Sequence, residues 1–107
     1  MMKTNKTDYT LCPKFEKAFS ILGKKWNGLI IDVLLHDGEQ RFVDLANKIP
    51  MLSDRVLTER LRELEREGIV GKTDSLYCLT DKGAALNPAL ESVKNWSHDW
   101  VSEEECS

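Results

Sequence analysis

Residues 53–68 read SDRVLTERLRELEREG, and no other stretch limits the possible folds as much. Ser53 is a good helix N-cap, Leu57, Leu61 and Leu64 recur at helical spacing, and Gly68 supplies a C-terminal stop. With Leu57 at 0° and about 100° per residue, Leu61 falls at about 40° and Leu64 at about −20°. Arg55, Glu59, Arg62 and Arg66 fall between about 140° and about 200°, with Thr58 at the flank near about 100°. Such a helix has to lie with its leucines on a core and its arginines in solvent.

The flanking sequence supplies that core. Pro13 suits a first helical position, and Phe15, Ala18, Phe19 and Leu22 form one face that ends at Gly23. Trp26, Leu29, Ile30, Val33 and Leu34 mark a second helix stopped by Asp37-Gly38. Gln40-Arg41-Phe42 allows only a very short strand, and Leu45, Ala46 and Ile49 indicate a third helix closed by Pro50. After the 53–67 helix, Ile69-Val70, the turn Thr73-Asp74-Ser75 and Leu76–Leu79 read as a small β-hairpin. Thr80 is expected to cap a final helix carrying Leu86, Ala89, Leu90, Val93, Trp96 and Trp100, with Pro88 kinking it or marking its proper start.

This order predicts a mainly α protein with a small β-hairpin, an α+β winged helix-turn-helix with flanking helices. The 107 residues, 41% hydrophobic and 31% charged, suit one globular domain over 1–107, with a flexible arm at 1–11 and an acidic tail at 102–107. No apolar run is long enough to span a bilayer and Met1 to Thr10 is polar, so a cytoplasmic protein is expected. Three cysteines without a CxxC make a disulfide framework or a structural zinc site a poor fit. His36 and His98 have no useful spacing with Cys12, Cys78 or Cys106, so neither enzyme activity, metal nor cofactor is expected.

A net charge of −3 argues mildly against nucleic-acid binding. The charge is unevenly spread, however: residues 73–107 carry −5, whereas residues 1–72 sum to +2. Glu103, Glu104 and Glu105 alone equal the net value. The rest of the surface is free to be locally basic. A helix entering the major groove reads bases with its first turns, using Arg on guanine edges and Thr on methyls or phosphates, and Arg55, Thr58 and Arg62 are placed to do this. The plainer reading makes Arg55, Glu59, Arg62 and Glu63 a salt-bridged helix surface.

Several motifs then converge. Cys12-Pro13, Gly23-Lys24-Lys25-Trp26, Arg41-Phe42-x-Asp44-Leu45, Leu57-Thr58-x-Arg60-Leu61-x-Glu63-Leu64, Gly68-Ile69-Val70 and Leu79-Thr80-x-x-Gly83 together resemble the HxlR-type winged helix-turn-helix regulators, which are related to the MarR group. The resemblance spans Cys12 to Trp100. It implies a homodimeric bacterial regulator that binds double-stranded DNA, with dimerisation helices at both ends. It gives the 53–67 helix the recognition role, places Ser53, Arg55, Thr58 and Arg62 toward DNA, and makes Arg41 and Lys48 phosphate contacts. The hairpin here is shorter than the family's and has lost charge, leaving Lys72 as the wing's local cation.

Phe15 and Phe19 at one end, and Val93, Trp96 and Trp100 at the other, are more aromatic surface than a small core hides, and they are expected to form the dimer interface. A dimer doubles a short reading surface and suits an inverted-repeat operator. Cys12, at a helix N-terminus near Lys14, is in a setting that favours an anion and suits sensing of oxidants or electrophiles. Several HxlR-type proteins use a cysteine near this position in that way. Equally, Cys12 packs as a small apolar group between dimer helices. Cys78 reads as packing, and Cys106 as incidental exposure in an acidic tail. A winged helix that binds protein, or one that answers a small molecule at the dimer junction, remains an alternative function.

Overall fold

The computed structural model describes residues 8–102. Helix α1 spans Pro13–Leu22 and α2 Asn27–Asp37; strand β1 (Gln40–Arg41) leads into α3 (Phe42–Lys48) and then α4 (Asp54–Arg66). The hairpin of β2 (Val70–Thr73) and β3 (Leu76–Leu79) follows, then a four-residue helix α5 (Asp81–Ala84) and the long α6 (Asn87–Trp100). This is a winged helix-turn-helix, with α3 and α4 as the helix pair and β2–β3 as the wing.

The leucine stripe of α4 forms the floor of the core. Leu57, Leu61 and Leu64 are fully buried against Ile30 and Ile31 of α2 and Leu45 of α3. Ile49 and Leu52 are buried in the turn between α3 and α4, and so fix the crossing of the two helices. Gly68, at φ 75°, ends α4 in the left-handed conformation. The Ile69 N–H donates to Leu64 O at 2.9 Å and the Gly68 N–H to Glu65 O at 3.0 Å, the paired pattern of a Schellman stop. That stop delivers Ile69 and Val70 straight into the core as β2 begins.

The sheet is larger than the expected hairpin. β1 pairs with the outer side of β3, Gln40 opposite Tyr77 and Arg41 opposite Leu76, giving the antiparallel order β1-β3-β2. Thr73 belongs to β2, and the turn is only Asp74-Ser75, both with positive φ (52° and 71°). A two-residue turn with that geometry matches the twist of the strands it joins.

The final helix differs from expectation. Thr80 caps α5, accepting the Gly83 N–H at 3.1 Å, and its own hydroxyl donates to Gly68 O at 2.6 Å. Lys82 donates to Glu67 O at 2.6 Å, so α5 closes the C-terminal end of α4. Pro88 cannot donate to Ala84 O, which is why α5 cannot run on and α6 starts afresh at Asn87. Gly83 is buried, and a Cβ there would collide with Ile69 O and press on the Leu79 side chain at 2.9 Å. Gly83→Ala is therefore expected to cost about 1–3 kcal/mol, read by chemical denaturation. An unchanged midpoint would contradict this packing.

Candidate nucleic-acid interface

On α4 the side chains divide as the angular count predicts. Arg55, Glu59, Arg62 and Arg66 are exposed, and Thr58 is half-buried at the flank. Ser53 Oγ accepts the Val56 N–H at 3.2 Å, confirming it as the cap, and Thr58 Oγ1 donates back to Asp54 O at 2.9 Å. A salt-bridged surface would pair these arginines with neighbouring acids. Among the described residues Arg55, Arg62 and Arg66 make no ion pair; the α4 arginine that does is Arg60, to Glu63 at 2.5 Å. Three guanidinium groups on one face thus keep their donors available.

Arg41 and Lys72 line one groove near the turn end of the wing. They border a groove of about 410 Å³ with Phe42, Val43, Ser75 and Tyr77. The Lys72 ammonium lies over the Tyr77 ring, 5.2 Å from its centre. Arg41 is shared with Asp44, which it meets through Nε and Nη2 at 3.2 Å each. Hydrogen bonds from that guanidinium and from the Arg41 backbone N–H hold Asp44 below its ordinary carboxylate value. Lys48 stands apart: it bonds Asp37 Oδ2 at 2.9 Å and Gln40 Oε1 at 2.7 Å, locking the end of α3 to the end of α2. Its ammonium is committed within the fold.

The aromatic residues at the two ends lie outside the core. Phe15 and Phe19 stack edge to face at 4.9 Å and are exposed. Trp96 and Trp100 are 59% and 74% exposed, and α6 buries no residue at all. Phe15, Phe19, Leu22, Leu29, Leu90 and Val93 line an apolar cavity of about 540 Å³ between α1, α2 and α6. Ile21, outside the apolar stripe read from the sequence, is the one α1 residue that is buried. Cys12 is exposed at the N-cap of α1 and Cys78 is half-buried on β3; Cys106, the acidic run and most of the N-terminal arm lie outside the described residues.

Sequence reasoning missed one cluster. Glu63 is buried, not part of a solvent-facing surface, and accepts from Lys24 Nζ at 2.7 Å, Asn27 Nδ2 at 3.2 Å and Arg60. Its angular position, about −120° on the Leu57 scale, lies about 100° from Leu64 and only about 60° from Arg66, so angle alone did not mark it as buried.

Fold and surface together define a winged helix-turn-helix with a cationic face on α4. The HxlR-like helix-turn-helix family profile matches residues 21–105. The HTH-type transcriptional regulator YodB of Bacillus subtilis is 45% identical over 109 residues, 90% of this chain and 96% of YodB. The crystal structure of quinone-bound YodB superposes with a TM-score of 0.78 at 48% identity, over 83% of this chain and all of that one. The redox regulator HypR in its reduced form superposes with a TM-score of 0.75 at 30% identity, over 88% of this chain and 99% of HypR. The chain belongs to the HxlR-like helix-turn-helix family and is a transcriptional regulator of that type. No described helix is long and apolar enough to cross a membrane.

Burial pushes the Glu63 carboxyl up, but the hydrogen bonds from Lys24 and Asn27 and the charge of Arg60 outweigh it, holding the group below its usual 4.5. With the folded value depressed, its stabilising effect is complete above the unfolded value and fades as pH falls through the folded one. Urea unfolding midpoints below pH 4.5 should therefore fall more steeply for the wild type than for Glu63→Gln. Parallel acid limbs would contradict the assignment.

Proposed function

We propose that the protein is a homodimer that binds an inverted-repeat operator in double-stranded DNA through α4, with Arg55, Thr58 and Arg62 reading base edges and Ser53 at the helix entry. The observation that carries this reading is the stripe of arginines on α4, Arg55, Arg62 and Arg66, that have no acid partner among the described residues. Arg41 and Lys72 serve as phosphate contacts beside the wing. Lys48 is the weakest member of that set, because Asp37 and Gln40 already hold it. A protein acting on DNA in this way works in the cytoplasm and performs no catalysis. Duplexes enriched from a random pool should bind with an affinity that falls steeply with salt, since each phosphate contact adds about −0.9 to the slope of log K against log salt. Arg62→Ala should lose about 1–3 kcal/mol on the enriched duplex. A flat salt response would contradict DNA binding.

The dimer rests on α1 and α6. Apart from the half-buried Leu90 and its N-cap Leu86, α6 has little apolar contact within its own chain, whereas a second copy would cover Phe15, Phe19, Val93, Trp96 and Trp100 together. Such a dimer sets two recognition helices about 34 Å apart, one turn of the duplex. Trp96→Ala should shift sedimentation toward monomer and weaken operator binding together. An unchanged dimer would rule out this interface.

Cys12 is the proposed sensor of oxidants or electrophiles. It is exposed at the N-cap of the proposed dimer helix α1, and the relatives include a quinone-bound YodB and the redox regulator HypR. Modification there would alter how α1 meets its partner. In the same binding assay, diamide should lower operator affinity in the wild type and not in Cys12→Ser; equal responses would dismiss the role. The apolar cavity between α1, α2 and α6 favours a second reading, a regulator that answers a small molecule without redox chemistry.

A further inference from the structure

The leucines of α4 fix which side of the helix faces the core, but apolar contact is non-directional and does not by itself fix the fine rotation of the helix about its own axis. Directional bonds do, and α4 has them on one flank, at Glu63 and, one turn later, Glu67. Glu63 accepts from Lys24 in the α1–α2 turn, from Asn27 at the start of α2, and from Arg60 on α4 itself. Glu67 accepts from Lys17 of α1 at 3.1 Å. Asn27 is fully buried, and its Nδ2 donates both to Ile21 O in the last turn of α1, at 2.8 Å, and to Glu63 Oε1. A single amide therefore joins α1, α2 and α4.

Asn27 Oδ1 is buried and accepts no hydrogen bond from the described residues. The geometry this cluster holds matters at the arginine face, about 80–100° around the helix. An arginine tip about 10 Å from the helix axis moves by nearly 2 Å for a roll of about 10°, several times the roughly 0.5 Å spread of hydrogen-bond lengths.

We propose that Glu63 is a positioning residue for DNA recognition: through Lys24 and Asn27 it sets the roll of α4 against the α1–α2 turn, and so the angle at which Arg55 and Arg62 meet the bases. The proposal rests on α4 being the recognition helix. It also gives the α1 helix a direct line to the DNA face, because any displacement of its last turn pulls on Asn27 and hence on Glu63.

The test compares affinity for a duplex enriched by the wild type with affinity for a scrambled duplex of the same composition, alongside dimer state and thermal melting. Glu63→Gln and Lys24→Met should remain folded dimers and bind the scrambled duplex as the wild type does, while their preference for the enriched duplex falls about tenfold. Lys24→Arg should restore most of it. Should Glu63→Gln fail to fold, Lys24→Met decides, since the Lys24 side chain is 46% exposed and its loss leaves no buried gap. Folded dimers with the wild-type preference would overturn the proposal, because a merely structural role would lower melting without changing selectivity. With Arg62→Ala in parallel, the two readings separate. If Arg62→Ala weakens binding and the Glu63 and Lys24 variants do not, only the positioning role fails. If the wild type enriches no sequence, the recognition-helix reading fails and takes this proposal with it.

Discussion

Burial of Leu57, Leu61 and Leu64 on one side of α4 is the constraint on which the rest of the molecule depends. Each such leucine contributes about 1.5–3 kcal/mol on leaving water, and together they fix which side of a highly charged helix faces the core. Once that side is set, Arg55, Arg62 and Arg66 have to face solvent. The Schellman stop at Gly68 then turns the chain into β2, so the wing starts at a defined point beside α4. Thr80 and Lys82 close the carbonyl end of α4 from α5, tying the two ends of the wing to one helix terminus.

Around this apolar centre, polar contacts carry orientation. Glu63 and Glu67 link α4 to α1 and α2, Lys48 links α3 to α2, and Lys94 links α6 to Asp32 of α2 at 2.7 Å. α6 depends on the last of these, together with the partly buried Leu86 and Leu90, because nothing beyond them meets the core. The proposed homodimer follows from that shortage of internal contact: the chain folds a DNA-reading head with its own residues and leaves the aromatic helix for a second copy to cover.

Periodicity and stop residues made most of the architecture readable. The α4 stripe, its Ser53 cap and its Gly68 stop were legible because each is a local property of a few neighbouring residues. The pairing of β1 with β3 was not, since Gln40 and Tyr77 are far apart in the chain and two residues give no alternation to read. Thr80 was correctly read as a cap and Pro88 as a place where the last helix kinks or properly starts, whereas the packing of Gly83 on Ile69 that seats the four-residue helix between them is a tertiary effect. In the candidate site, the exposed arginines followed from angle alone, whereas the Glu63 cluster needed the α1–α2 turn brought against α4. The engagement of Lys48 by Asp37 and Gln40 was likewise invisible without the fold.

The central claim is that the outward face of α4 meets DNA in the major groove. Methylation protection on a duplex enriched by the protein tests it most directly, because guanine N7 lies in the major groove and adenine N3 in the minor groove. The predicted result is two segments with protected guanine N7, about 34 Å apart, as two copies of α4 in one dimer would give. Protection confined to adenine N3, or absent from the duplex altogether, would contradict the account.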